Sequence, residues 1–251
     1  LPTDIIGRNP DSVNFPPFET EDLRRNLELF LNRTVIDPIT GKNVVLGNYK
    51  WGVYAFFDYD GEPIYVGQTN EMLRTRIRRH LTNQRTDAVA MSVLDPFEVH
   101  TINVYPLPQY QNVGKGNKEQ FQAAKAHLDG LERAIYDDSI NRSEFRAILN
   151  EKDPPPSTVV LGALPVCFSG CIVSEEVYRI RSHPDFRIAR RAYIISRLAQ
   201  VISERKVQGG LRRTLLTQAK RLQWLADRRF MALGGAFSVE TEAGGEEGDV
   251  E

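Results

Sequence analysis

The sequence predicts an α+β fold: a three-stranded antiparallel sheet flanked by helices, followed by a helical C-terminal extension. Three observations lead there. The stretch "WGVYAFFDYDGEPIYVG" at 51–67 reads as two strands around a turn at Asp60-Gly61. Apolar residues at helical spacing lie on both sides of it. Beyond Pro184 the pattern is helical almost throughout.

Residues 1–19 are Pro-rich and irregular. In "TEDLRRNLELFLNR", Leu23, Leu27, Phe30 and Leu31 fall on one helical face, with Thr20 as N-cap. After the hairpin, Asn70 is placed to cap a helix over "EMLRTRIRRHL", and "PFEVHTINVYPL" alternates like a third strand. A polar loop holding Gly114, Lys115 and Gly116 leads into a long helix, about Lys118 to Ser139, with Phe121, Ala124, Leu128, Leu131 and Ile135 as its apolar stripe. "DPPPS" at 153–157 ends that unit. The apolar "TVVLGALPVCFSGCIV" reads as one or two further strands or as buried connecting chain. Two helices then span roughly 184–207 and 211–232. The expected organisation is an N-terminal arm with one helix over 1–49, a core over 50–158, a basic and mostly helical region over 159–233, and an acidic disordered tail over 234–251.

The chain has 251 residues, 41% hydrophobic and 26% charged, within the range of a globular protein. No apolar run approaches the roughly 20 residues that span a bilayer. The opening residues carry no basic-then-apolar leader, so a cytoplasmic protein with no membrane partner is expected. Cys167 and Cys171 lack a metal or redox spacing and read as small buried hydrophobes. The net charge of −1 conceals an asymmetry. Between Arg179 and Arg229 fourteen basic residues face three acids, whereas the last twelve residues hold six acids and no base. That split suggests a polyanion-binding region beside an acidic tail. Lys115, Arg190, Arg191, Arg212 and Arg213 are the candidate DNA contacts.

The chemistry-bearing residues follow the hairpin. Arg76 and His80 lie four apart on one helical face, with Leu73 and Ile77 as the anchoring stripe. Taken in order, Gly52-Val53-Tyr54, Tyr65-Val66-Gly67, Arg76 and His80 resemble the GIY-YIG nuclease superfamily. The resemblance runs from about Trp51 to Asn150. It implies that both triplets lie on neighbouring strands, and that a Glu on a later helix, best matched by Glu132, binds the metal. It also implies a closing Asn, for which Asn150 is preferred over Asn141. By the same resemblance Tyr54 contacts the attacking water, Tyr65 orients water or phosphate, His80 assists proton transfer, and Arg76 forks onto the scissile phosphate. One carboxylate plus waters suits Mg²⁺ or Mn²⁺.

The expected function is therefore metal-dependent DNA endonuclease activity in a restriction or host-defence setting. The alternatives are a structure-specific or single-strand nuclease of repair or mobile elements, and a non-catalytic DNA-binding protein on the same scaffold. A homodimer would suit cleavage of both strands at a palindrome. His100, His127, Tyr193 and Trp224 read as structural.

Overall fold

The structure, a computed structural model, describes residues 18–82, 94–157, 159, 161–204, 206–207 and 209–236. The expected irregular arm before Phe18 and the acidic tail from residue 237 lie outside the described residues.

Helix α1 (Phe18–Asn32) buries Leu23, Leu27, Phe30 and Leu31, the stripe read from the sequence, and begins two residues before the expected cap. A small hairpin that the sequence reading passed over follows, β1 (Thr34–Ile36) against β2 (Asn43–Val45). Its turn is held by the Asp37 carboxylate, which accepts from the N–H groups of Ile39 and Thr40, and by Gly41 at φ +67°.

The main sheet is antiparallel, in the order β4-β3-β5-β6. Strands β3 (Gly52–Phe57) and β4 (Pro63–Thr69) form the predicted hairpin, and β5 (Thr101–Pro106) pairs with the other side of β3. The fourth strand, β6 (Phe168–Cys171), comes from the apolar segment whose role the sequence left open, so the sheet has four strands where three were expected. Cys167 and Cys171 are exposed free thiols and not buried hydrophobes: β6 lies at the sheet's edge, with both cysteines toward solvent.

Strand alternation sorts side chains onto two faces. Tyr54, Phe56, Ile102 and Val104 pack against α1 and helix α2 (Leu73–Leu81), whose Leu73 and Ile77 are fully buried. Val53, Ala55 and Val66 pack against helix α3 (Lys118–Arg142) through Ala124, Leu128, Leu131 and Ile135. Each buried Val, Leu or Ile among them contributes roughly 1.5–3 kcal/mol relative to exposure. The result is a sheet clamped between α1/α2 and α3, with β4 as one edge.

The C-terminal region is helical as expected: α4 (Glu175–Arg181), α5 (Pro184–Glu204) and α6 (Gly209–Ala232). Helix α4 was not foreseen, although Ser174 caps it by accepting from Val177 N–H. The basic residues here differ from the sequence expectation. Arg191 is buried, donating to Asp58 at 3.0 Å and facing Glu98 at 3.5 Å. Arg187 is buried against Asp58 and Asp60, and Arg221 is buried against Glu62 and the carbonyls of Pro63 and Ala147. Arg190 forks onto Asp95, and Arg213 onto Asp153. Arg187, Arg191 and Arg221 face inward, and Arg190 partly so, because the β3–β4 turn and the neighbouring loops present a matching set of carboxylates; the Arg213–Asp153 pair lies at the surface. Of the residues expected to meet DNA from this region, Arg190 and Arg191 are thus held by inward ion pairs, Arg213 is exposed and paired with Asp153, and Arg212 is exposed. Among the described residues no helix is long and apolar enough to cross a membrane.

Candidate active site

The β3–β4 register brings the two tyrosines together. Tyr54 pairs with Gly67, and Tyr65 pairs with Phe56, so the phenols are diagonal neighbours with ring centroids 6.2 Å apart. Gly67 makes room for them. A Cβ there would lie 2.6 Å from the Tyr65 ring and 2.8 Å from the Tyr54 hydroxyl. The glycine ending the second triplet is therefore a steric requirement of the tyrosine pair.

Helix α2 covers this pair. The His80 ring is 5.1 Å from that of Tyr65 and 5.7 Å from that of Tyr54. Arg76, one turn earlier, is half-buried beside Tyr54. The Tyr54 hydroxyl is buried and, among the described residues, finds no hydrogen bond of good geometry, although it lies against the Arg76 guanidinium. Burial drives the Tyr54 phenol well above its ordinary range. Tyr65 and Glu132 add to the shift, and Arg76 opposes it. Tyr54 is a neutral phenol at physiological pH.

Glu132 arrives from the opposite face of the sheet, on α3. Gln68, the residue after Gly67, reaches it: Gln68 Nε2 donates to Glu132 Oε2 at 2.7 Å and to Asp129 Oδ1 at 2.6 Å. Lys125 donates to Gln68 Oε1 at 3.0 Å and pairs with Asp129. Burial raises the Glu132 carboxyl above the usual glutamate range; Gln68, Lys125 and Arg76 counter this, and Asp129 reinforces it. Sequence reasoning missed this support. The usable signal was Lys125, Asp129 and Glu132 at i, i+4 and i+7 on one helix face.

Asn150 is buried at the outer edge of β4, where its carboxamide engages both backbone groups of Val66. Asn141 is exposed at the end of α3, its carbonyl accepting from Arg146. A cleft of about 400 Å³ opens at this edge, lined by Tyr65, Arg76, His80, Glu132 and Asn150 and walled by the segment Glu151–Pro155. Five of the sequence candidates thus share one cleft, with Tyr54 beneath them.

Other candidates lie elsewhere. Lys115 is exposed on the loop before α3. His127 hydrogen-bonds Tyr110 at 2.9 Å, and His100 bridges Thr101 and Cys171. Trp224 donates to Glu144 and stacks edge-on with Phe145, whereas Tyr193 is exposed.

Residues 50–112 match the family model described as the GIY-YIG catalytic domain. The matched segment contains Tyr54, Tyr65, Arg76 and His80 and ends before Glu132 and Asn150; the fold brings those two residues to it. No curated protein and no solved structure gave a match.

Proposed function

We propose, from the membership of this chain in the GIY-YIG superfamily over residues 50–112 and from the cleft at the edge of β4, that the protein is a divalent-cation-dependent DNA endonuclease. The carrying observation is that Glu132 from one face of the sheet meets Tyr65, Arg76 and His80 from the other in a single cleft.

The residues suit a divalent cation. Glu132 is half-buried, and among the described residues no Lys, Arg or His lies within ion-pair distance of its carboxylate. Glu132 is the motif-matched carboxylate lining the cleft, so the ligand set we propose is this carboxylate with waters. That set suits Mg²⁺ or Mn²⁺. Bound there, the ion would neutralise phosphate charge and favour departure of the 3′-oxygen.

The protein's own groups divide the remaining work. Arg76 presents forked donors to the scissile phosphate, a geometry that Lys cannot reproduce. Tyr54 and Tyr65 orient the attacking water. The Tyr54 hydroxyl lies against Arg76 without a hydrogen bond of good geometry, which suits a hydroxyl whose better partner arrives with substrate. A neutral phenol is a poor base, so the proton passes to His80, which packs against both rings. Asn150 holds the strand that carries Tyr65.

Plasmid nicking with and without Mg²⁺ tests this reading. Nicking that requires the ion, and that fails in Glu132→Ala while DNA binding persists, is the expected result. Binding without cleavage would favour a DNA-binding scaffold. We read the setting as restriction or host defence from the chain's build, a GIY-YIG core with one N-terminal helix and a helical C-terminal cover. Sequencing of cleavage products checks it. A fixed recognition sequence fits that role, whereas cutting dictated by DNA structure fits repair or mobile elements.

A further inference from the structure

The carboxamide of Gln68 is occupied on every side. Both Nε2 hydrogens have acceptors, Glu132 Oε2 at 2.7 Å and Asp129 Oδ1 at 2.6 Å, and Oε1 accepts from Lys125 Nζ at 3.0 Å. A lysine ammonium can only donate, and an ionised carboxylate can only accept. The amide therefore has one workable orientation. Flipped, it would set its oxygen against two carboxylates and its N–H groups against an ammonium. Lys125 is held in turn by Asp129, one turn along α3. Four side chains on two elements lock one another, and the only one lining the cleft is Glu132.

We propose that Gln68 is a positioning residue for Glu132, and that Lys125 acts through Gln68 to fix the direction in which Glu132 presents its carboxylate to a divalent cation. This deepens the nuclease reading and rests on it. A carboxylate free to rotate presents its lone pairs in many directions. One tethered by a locked amide presents the same lone pair each time, and cation binding then loses less orientational freedom. Lys125 has two opposing effects. As a bare positive charge near the site it should weaken cation binding. As the lock on Gln68 it should strengthen it.

The test is calorimetric titration of Mn²⁺, without DNA, into the full chain and into Gln68→Met, Lys125→Met and the double variant. Melting temperatures are recorded with and without the ion. Gln68→Met is expected to weaken Mn²⁺ binding by about 10–100-fold and to lose the ion-induced rise in melting temperature, with little change in the ion-free value. Lys125→Met is expected to weaken binding as well, against the electrostatic expectation. The double variant is expected to match Gln68→Met alone, because Lys125 acts through Gln68. An unchanged affinity in Gln68→Met overturns the proposal. Tighter or unchanged binding in Lys125→Met overturns the role of Lys125, and that variant alters a partly exposed side chain, so it remains informative if Gln68→Met fails to fold. A wild type that binds Mn²⁺ and nicks DNA, with variants indistinguishable from it, defeats this inference alone. A wild type that does neither defeats the nuclease reading and this inference with it.

Discussion

The carboxamide of Asn150 grips the backbone of Val66 from both ends, accepting from Val66 N–H at 2.9 Å and donating to Val66 O at 2.8 Å. It does for the outer edge of β4 what a neighbouring strand would do, and both bonds are buried. Asn150→Ala leaves two backbone groups of β4 without these partners. Each is expected to cost about 1–3 kcal/mol, read as a lower denaturation midpoint. Asn141→Ala, on an exposed helix end, should stay within about 0.5 kcal/mol of the parent. A neutral Asn150→Ala would remove Asn150 from the architecture.

Tyr54→Phe should move rate and stability in opposite directions. Losing the hydroxyl is expected to slow single-turnover cleavage by roughly 10²–10⁴-fold if it takes part in handling the attacking water. The same change removes a buried polar group that has no good partner among the described residues, so the melting temperature should rise. A variant with both parental rate and parental stability would show the hydroxyl to be idle.

Arg76→Lys is expected to fail nearly as completely as Arg76→Ala, because the charge remains but the fork is lost. Glu132→Ala should abolish cleavage and leave DNA affinity equal or higher, since a negative charge leaves the cleft. Gel-shift and nicking assays on the same preparations separate the two effects.

The basic helices call for a contrast between two arginines. Arg191→Gln takes from the buried Asp58 the nearer of its two guanidiniums, leaving Arg187, and takes from buried Glu98 its ion-pair partner, so it should destabilise the fold by about 3–5 kcal/mol. Its folded fraction should keep the parental dependence of DNA affinity on salt. Arg212→Gln, on the exposed start of α6, should leave stability near parental. If Arg212 meets a phosphate, the change should flatten the slope of log affinity against log salt by about 0.9. Equal behaviour of the two variants would contradict the burial difference between them.

Asp153 supplies a pH prediction. Burial opposes its charge, but hydrogen bonds from Tyr136 and Arg213 outweigh burial and hold its carboxyl below the usual aspartate range. With the folded value depressed, the stabilisation is complete above the ordinary aspartate pKa and is lost as pH falls through the depressed one. Asp153→Asn should therefore melt lower than the parent at neutral pH, and the two should converge once pH falls below the depressed folded value. A gap that persists in acid would mean that the ion pair is not its source.

The sheet and its flanking helices were legible because their signals are local. Leu23 to Leu31, Leu73 with Ile77, and Phe121 to Ile135 each mark a buried helix face, and the two aromatic triplets mark a hairpin. The tyrosines, Arg76 and His80 were legible for the same reason, since they fall within one short stretch. The roles of Arg190, Arg191 and Arg213 were not. Their partners Asp95, Asp58 and Asp153 lie 60 or more positions away, and a charge count cannot tell an arginine held by a carboxylate from an unpaired one. Gln68 stayed hidden because a polar residue in a strand carries no signal until the fold sets Lys125, Asp129 and Glu132 beside it. The β1–β2 hairpin was passed over because its strands have three residues each, too few to show alternation.

Because the cleft lies at an edge strand, its two halves are built from opposite faces of the sheet. Tyr65, Arg76 and His80 lie on the α2 side, Glu132 lies on α3, and the single strand β4 sets the distance between them. The gap across the site is then gauged by the thickness of one strand, a dimension that peptide geometry sets and side-chain substitutions elsewhere can hardly alter. Loops around such a gauge can lengthen, shorten or change sequence while the jaw width stays constant. Substrate choice can therefore drift in evolution with the cutting geometry left intact.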